Sequence, residues 1–171
     1  MPTRRAAHGL PLTLGVAAVA FGLDRWAKWW VIEVIDLPRH LVVDLAPPFV
    51  RLVMAWNTGV NFGIGSGAAQ GVWIGLALAI SAGLAIWSLR MTSALRRTAV
   101  GLLIGGALGN ALDRVLYGAV ADFLNVSCCG FANPYAFNPA DIFIFAGALG
   151  LILIDPSDKP NPAPRRGDRT P

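Results

Sequence analysis

The chain has 171 residues, of which 55% are hydrophobic and only 14% charged, and its mean hydropathy is +0.57. Soluble domains carry charge at about a quarter of their positions, so this composition excludes an ordinary soluble domain and favours a small polytopic membrane protein. A net charge of +4 could suggest nucleic-acid binding, but most cations lie in patches beside apolar runs, as at the cytoplasmic ends of membrane spans. The patches are Arg4 and Arg5; Arg90, Arg96 and Arg97; and Lys159, Arg165, Arg166 and Arg169.

The first span is predicted at residues 9–30. Its clean apolar part, Gly9 to Leu23, covers about 22 Å of a hydrocarbon core about 30 Å thick. A helix continuing through the tryptophans up to Trp30 reaches full length and places indoles at the interface. A cleaved signal peptide is the alternative, since two arginines precede the apolar run. Asp24 and Lys28 are four residues apart, so they would share a helix face as a surface ion pair.

An external segment follows at residues 33–67. Leu41–Leu45 and Phe49–Trp56 are rich in β-forming residues and are separated by two prolines, which predicts a short hairpin. The glycine-rich run from Asn57 to Gly63, with further glycines at 65 and 67, predicts a loop whose backbone turns sharply or closely approaches another group. A plain turn-rich linker is the alternative.

Three more spans are predicted at residues 71–89, 94–112 and 139–154, giving an all-α polytopic protein with four transmembrane helices and a small external β-rich region. Residues 1–155 would form one membrane domain and 156–171 a disordered basic tail. Both termini and the Arg90–Arg97 loop would be cytoplasmic, because they carry the basic patches. The loops 33–67 and 113–138 would then be external.

The polar residues of Gly105–Asp141 stand out in this apolar chain. Acids beside a membrane span are costly and are retained by default for a function. Asn138 is a suitable N-cap, Pro139 fits the first helical position, and Asp141 then falls at the third. Asp122 follows a short turn and an extended stretch. Two carboxylates brought together can act as general base and general acid.

Each acid also has a purely structural interpretation. An acid in the first helical turn is favoured by the helix dipole, which would be sufficient for Asp141. Asp113, which shares a helix face with Asn110, could simply pair with Arg114 or another cation. Asp122, without an obvious local partner, could be a solvated loop carboxylate.

Other chemistry finds little support in the sequence. His8 and His40 are isolated, and no zinc-ligand spacing, phosphate loop or Ser-His-Asp set is present. Cys128 and Cys129 are adjacent, which strains a disulfide between them. They are predicted to be dispensable. We therefore expect no metal, nucleotide or other cofactor.

The ordered motifs resemble those of the bacterial lipoprotein signal peptidases, the type II signal peptidases. The resemblance covers about residues 10–155, and the block from Gly105 to Arg114 followed by the block from Phe137 to Asp141 is highly specific in that order. The matching motifs are Asp24 with Lys28; Asn57-Thr58-Gly59 with Asn61-Phe62; Gly105 to Asn110 with Asp113-Arg114; Gly118, Val120 and Asp122-Phe123; and Phe137-Asn138 with Ala140-Asp141. Arg25 and Ala27 depart from the usual Gln and Thr, Asn61 replaces a small residue, and Asn125–Asn133 is unusual.

The resemblance implies a four-helix aspartyl protease of the bacterial inner membrane, with its active site at the outer face. Its substrate would be a diacylglyceryl-modified prolipoprotein, cut just before the lipidated cysteine. Asp122 and Asp141 match the catalytic pair, which would share one proton and activate a water. Its partners would be this substrate and membrane lipids, without nucleic acid, and it would act as a monomer. The supporting or substrate-binding residues would be Asp24, Lys28, Asn57, Gly59, Asn110, Asp113, Arg114 and Asn138.

Two other classes compete with a protease. A small proton-coupled transporter component would use its acids as a relay, and would distribute them along the spans toward the midplane. A non-enzymatic assembly factor would tolerate loss of either carboxylate of the pair.

Overall fold

The fold is described from a computed structural model, for residues 10–59, 66–128 and 133–154. Five helices and three strands occupy these residues. In chain order they are α1, Leu10–Trp29, continued by a π-helical segment at Trp30–Val34; α2, Leu37–His40; β1, Val42–Ala46; β2, Val50–Asn57; α3, Ser66–Ser88; α4, Ala94–Tyr117; β3, Val120–Val126; and α5, Pro139–Leu153.

Helix α4 is the central helix of the bundle. Gly101 of α4 lies against Thr13 of α1, and Gly109 lies against Asp24, so the two helices run in the same direction. Gly106 lies against Ala140 of α5, whereas Gly147 lies against Ala99, so α5 runs antiparallel to α4. The beginning of α1, the end of α5 and the short loop before α4 therefore lie at one end of the bundle.

The close approach of these helices depends on glycine. A Cβ on Gly105 would lie 2.5 Å from the Ala17 carbonyl oxygen, and one on Gly106 would lie 2.5 Å from the Ala140 carbonyl oxygen. Small residues at helix interfaces let backbones approach closely, which is a main source of packing energy where lipid removes the hydrophobic driving force between helices. A ring of exposed apolar side chains surrounds the bundle, including Val72, Leu78, Ile86, Phe145 and Ile152.

The three strands form one antiparallel sheet in the order β1-β2-β3 at the other end of the bundle. Its inner face packs on the continuation of α1 through an apolar cluster of Val31, Leu37, Leu52 and Phe123. The predicted hairpin is confirmed as β1 and β2, and the extended stretch at Asp122 is confirmed as β3. The sheet thus holds β3 beside the ends of α1, α4 and α5.

Three helical segments are long and apolar enough to cross a membrane: Leu10–Val34, Gln70–Ser88 and Ala94–Tyr117. The fourth predicted span corresponds to α5, a shorter apolar helix of 15 residues. These residues cover only about 22 Å at 1.5 Å per residue. Helix α4 continues to Tyr117, five residues beyond the predicted end of its span, and ends at Gly118 in a left-handed conformation. Asp113 and Arg114 are therefore helical residues and not part of a loop.

Some expectations fall on residues outside the described ranges. They are the basic segment 1–8, the second half of the glycine-rich loop including Asn61 and Phe62, Cys129, and the predicted tail 156–171.

The glycine contacts predict a strong contrast between two substitutions. We expect Gly105→Ala to destabilise the protein by ~1–3 kcal/mol, because its methyl group must displace backbone of α1. Gly83→Ala is the matched control: nothing lies within 4 Å of its Cβ position on α3, so it should be neutral or stabilise by up to about 1 kcal/mol. Thermal unfolding in one detergent measures both. Equal melting temperatures for the two variants would contradict the packing described here.

Candidate active site

Four charged side chains from two helices form a buried ion cluster, which we define as Asp24, Arg25, Lys28 and Asp113. Lys28 Nζ lies 3.0 Å from Asp24 Oδ2 and 2.6 Å from Asp113 Oδ2. Arg25 donates to Asp113 Oδ1 and also lies 3.3 Å from Asp24 Oδ2. Lys28 is only 1% exposed and both carboxylates are fully buried. The cluster holds two positive and two negative charges, as burial of ions requires.

The same two carboxylates connect the cluster to the backbone of the other elements. Asp24 Oδ1 accepts a hydrogen bond from the backbone N–H of Ala140 at the start of α5, at 3.0 Å. Asp113 Oδ2 accepts one from the N–H of Ala121 in β3, at 3.2 Å. Ala121 and Ala140 each immediately precede one of the acids of the predicted pair. The ion cluster therefore fixes where Asp122 and Asp141 enter the site.

Asn110 links the ion cluster to Asp141 by hydrogen bonds. Lys28 donates to Asn110 Oδ1 at 3.1 Å, which leaves the amide nitrogen of Asn110 to donate to Asp141 Oδ1 at 2.9 Å. An ammonium group has donors and no acceptor, so Lys28 sets the orientation of this amide. Asp141 therefore accepts a hydrogen bond from an amide group that Lys28 holds in one orientation.

Asn138 connects the two acids. Its side-chain oxygen accepts from the N–H of Asp141, and its own N–H donates to Asp141 Oδ2 at 3.1 Å, forming the two halves of a capping box. Its amide nitrogen donates to Asp122 Oδ1 at 2.5 Å. Phe137 pairs with Leu124 of β3 through backbone hydrogen bonds, which places Asn138 beside the strand. One asparagine thus caps α5 and holds both carboxylates.

Asn57 supplies the second donor to Asp122. Its amide nitrogen lies 3.1 Å from Asp122 Oδ2, while its oxygen accepts the N–H of Gly59 at 2.9 Å. Gly59 has φ +80°, and a Cβ there would lie 2.9 Å from the indole nitrogen of Trp73. Glycine is needed at this position both for the turn and for the close approach to α3. The prediction of a backbone that turns sharply and closely approaches another group is confirmed at Gly59.

Asp122 and Asp141 have different surroundings. Asp122 is 5% exposed, and Asp141 is only partly buried. Burial raises the pKa of Asp122 above its usual value; hydrogen bonds from Asn138 and Asn57 oppose this effect, the charge of Asp141 adds to it, and Lys28 opposes it. Asp141 lies in the first turn of α5, where the helix dipole favours a negative charge.

Arg114 forms one side of the site. Its guanidinium donates to the backbone oxygen of Asn110 at 3.0 Å and lies over the ring of Trp73, 6.0 Å from the centroid. It is partly buried, and it does not pair with Asp113, whose partners are Arg25 and Lys28. A fixed guanidinium facing two carboxylates can stabilise negative charge or hold a peptide backbone.

Several structural interpretations of the sequence are settled by these contacts. The interpretation of Asp24 and Lys28 as a surface ion pair is wrong, because both are buried. The interpretation of Asp122 as a solvated loop carboxylate is also wrong. Asp122 belongs to β3, and its buried side chain lies between those of Asn57 and Asn138. Asp141 does occupy the predicted cap position, and it accepts from Asn110 in addition.

Sequence reasoning missed three contributors to this site. Arg25 was considered only as a departure from a motif, yet it supplies half of the positive charge of the cluster. The backbone N–H groups of Ala121 and Ala140 carry no side-chain signal that a pattern could reveal. A count of charges could have pointed to Arg25, since Asp24 and Asp113 need more than the single cation Lys28 once both are buried.

The distribution of acids in the described residues differs from that of a proton relay. These carboxylates lie in the half of the bundle nearer the sheet; they are Asp24, Glu33, Asp36, Asp44, Asp113, Asp122 and Asp141. Within the same ranges, no group of three or more His, Cys, Asp or Glu side chains is arranged to hold a metal ion. The site is thus a pair of carboxylates held by amides.

Comparison with known proteins gives a consistent result. A family model described as signal peptidase (SPase) II matches residues 16–155. The lipoprotein signal peptidase of Rhodopseudomonas palustris is 44% identical over 151 residues, which cover 83% of this chain and 91% of that protein. The lipoprotein signal peptidase of a Methylobacterium species is 42% identical over 148 residues, covering 84% and 88%.

Two solved bacterial membrane enzymes share the fold. One superposes with a TM-score of 0.72 at 25% identity, covering 86% of this chain and 94% of the other, and the second with 0.68 at 26% identity, covering 82% and 84%. The resemblance seen in the sequence motifs is confirmed by these matches. They lend no support to the transporter alternative.

The ion cluster predicts a large stability effect for Lys28→Met. This substitution leaves two fully buried carboxylates with one cation, which should destabilise the protein by about 3–5 kcal/mol. Arg51→Gln is the control, because its ion pair with Asp44 is about half exposed and should have little influence. Melting temperatures of both variants in the same detergent measure the difference. A Lys28→Met protein as stable as Arg51→Gln would show that the cluster does not hold the fold together.

Proposed function

The chain belongs to the signal peptidase II family, and we propose that it is an aspartic endopeptidase that removes the signal peptide of diacylglyceryl-modified prolipoproteins just before the lipidated cysteine. The observation that carries this proposal is the pair formed by Asp122 and Asp141. Each carboxylate accepts two hydrogen bonds from asparagine groups, and Asn138 contacts both. Preorganised carboxylates of this kind need only a water and a peptide to perform hydrolysis.

The different surroundings of the two acids suggest their roles. Asp122 is the more buried acid and its raised pKa favours the protonated form, so we assign it as the general acid. Asp141, at the helix N-terminus and partly exposed, is assigned as the general base. Like charges placed close together do not both ionise at low cost, so the dyad holds one proton in its working state.

The reaction then proceeds without a cofactor. Asp141 takes a proton from water as the water oxygen attacks the peptide carbonyl carbon, and Asp122 gives its proton to the carbonyl oxygen. When the tetrahedral intermediate collapses, the C–N bond breaks, the leaving amine takes the proton from Asp141, and Asp122 regains its own from the intermediate. Arg114 and Asn110 lie where they can hold the peptide backbone during these steps.

The same proposal includes an arrangement in the membrane. Helix α5 follows α4 antiparallel from Ala140 to Gly147, so it crosses with α1, α3 and α4 as a fourth span. Residues 1–155 form the single membrane domain and 156–171 its cytoplasmic tail. Both termini lie in the cytoplasm and the sheet lies outside, over the outer face of the bacterial inner membrane. We propose that the enzyme acts as a monomer, with the acyl chains of its substrate between the helices.

The orientation can be tested by labelling single cysteines in a background where Cys128 and Cys129 are serine. Tyr135 is 77% exposed at the sheet end, and Thr92 is exposed in the loop between α3 and α4. A membrane-impermeant maleimide should label Tyr135→Cys in cells with a permeabilised outer membrane, and Thr92→Cys only after lysis. The opposite pattern would reverse the orientation. Cleavage by the background protein should remain near that of the wild type.

The catalytic assignment is tested with Asp122→Asn and Asp141→Asn. Each keeps the shape of the side chain but removes the group that exchanges a proton. We expect either change to lower the cleavage rate of a lipidated precursor by several orders of magnitude, and the double variant to be hardly slower than either single variant. Melting temperatures should fall only modestly, because the amide keeps one of the two oxygens that accept hydrogen bonds in each carboxylate.

Asp44→Asn serves as the matched control. This acid lies in the same sheet, but its carboxylate is exposed and faces Arg51. Its cleavage rate should equal that of the wild type. A folded Asp141→Asn protein that cleaves at nearly the wild-type rate would leave Asp141 as a helix cap and refute the dyad.

A further inference from the structure

Arg25 has no part in the mechanism above, yet it is one of two cations in the ion cluster. Its guanidinium contacts both Asp24 and Asp113, and it is mostly buried, with 19% of its side chain exposed. Lys28 also contacts both carboxylates. Without Arg25, two fully buried anions would share a single cation, and the cluster beside the dyad would have a net negative charge.

The charged groups around the dyad can be counted element by element. Helix α1 contributes Asp24, Arg25 and Lys28, and α4 contributes Asp113 and Arg114. Helix α3 carries no charged residue, Glu33 on the continuation of α1 is exposed, and Asp36 pairs with Arg39 and Asp44 with Arg51 at the surface. Among the charged groups that are at least partly buried beside the dyad, three are thus positive and two negative. Their sum, +1, balances the single negative charge of a dyad that holds one proton.

We propose that Arg25 is a positioning residue for the reaction: it completes this balance and thereby sets the pH range in which the dyad holds one proton. Arg25 acts on the dyad through the cluster, because Asp113 accepts the N–H of Ala121, next to Asp122, and Lys28 orients Asn110 toward Asp141. Electrostatic interactions in such a buried site are strong because little water screens them. This inference rests on the proposed function, since it concerns the proton used in peptide hydrolysis.

The balance predicts opposite effects for two substitutions. Arg25→Gln leaves an extra negative charge, so the dyad binds its protons more tightly and the bell-shaped pH profile of kcat/KM moves to higher pH. Asp113→Asn leaves an extra positive charge and moves the profile to lower pH. One uncompensated charge in the cluster beside the dyad should shift the profile by about one pH unit or less. The double variant restores the sum of charges and should return the profile close to that of the wild type.

Full-length protein in nanodiscs is assayed with a lipidated precursor over a range of pH, for the wild type, Arg25→Gln, Asp113→Asn, the double variant and Arg25→Lys. Arg25→Lys keeps the charge but loses the planar guanidinium, whose Nη2 contacts both carboxylates, so its profile should stay in place even if kcat falls. A merely structural role would lower activity at every pH without moving the profile. If Arg25→Gln fails to fold, Asp113→Asn and the double variant still test the idea, because the second substitution must move the profile back.

Infrared titration of the protonated carboxyl band provides a readout independent of cleavage. The band missing in Asp122→Asn reports the dyad proton, and its midpoint should shift in the same directions as the kinetic profile. A wild-type protein that does not cleave the precursor would refute the proposed function, while this titration would still test Arg25. The role of Arg25 would be overturned if the pH profile or the infrared midpoint of Arg25→Gln coincided with that of the wild type. It would also be overturned if the double variant did not bring the pH profile back to that of the wild type.

Discussion

Burial of the Asp24–Arg25–Lys28–Asp113 cluster is the constraint on which the site depends. Removing four charges from water is expensive, and their mutual attraction offsets this cost only when the geometry is good and the remaining acceptors are filled. Here backbone N–H groups of α5 and β3 donate to the same carboxylates, at Asp24 Oδ1 and at the Asp113 Oδ2 that also contacts Lys28. A shift of either element would leave a buried charge without a partner. The polar cluster therefore defines one arrangement among the many that apolar helix packing would allow.

Three asparagine side chains link that arrangement to the two carboxylates of the proposed dyad. Asn110, Asn57 and Asn138 each have their oxygen engaged elsewhere, by Lys28, by Gly59 and by the cap of α5, so each presents its nitrogen to a carboxylate. The donors are thus oriented before a substrate binds. Preorganised dipoles avoid the cost of reorienting during the reaction, which is a main source of catalytic power in enzymes. The glycine contacts along α4 contribute by keeping the helices close enough for these short side chains to meet.

Part of this site could be read from the chain. The capping box of Asn138 and Asp141 was predictable because its residues are adjacent and obey a local rule, and the β1–β2 hairpin was predictable from two apolar runs and their prolines. The Asp24–Lys28 pairing followed from helical spacing, but its burial did not. Burial depends on α4 covering that face of α1, and nothing within the α1 sequence specifies what covers it. Arg25 escaped notice for the same reason, because its main partner, Asp113, is 88 residues away.

The sequence alone determined what depends on local patterns and on family motifs. These are the membrane class, the apolar helices, the caps, the hairpin, and the identity of the two acids as candidates. Only the tertiary structure decided which polar groups meet: that Asp113 pairs with Arg25 and Lys28 and not with its neighbour Arg114, and that Asn138 holds Asp122. The physical reason is the separation along the chain over which each kind of interaction acts. Capping and helical periodicity act over a few residues, whereas the stabilisation of a buried charge depends on whichever groups the packing of distant segments brings within hydrogen-bonding distance.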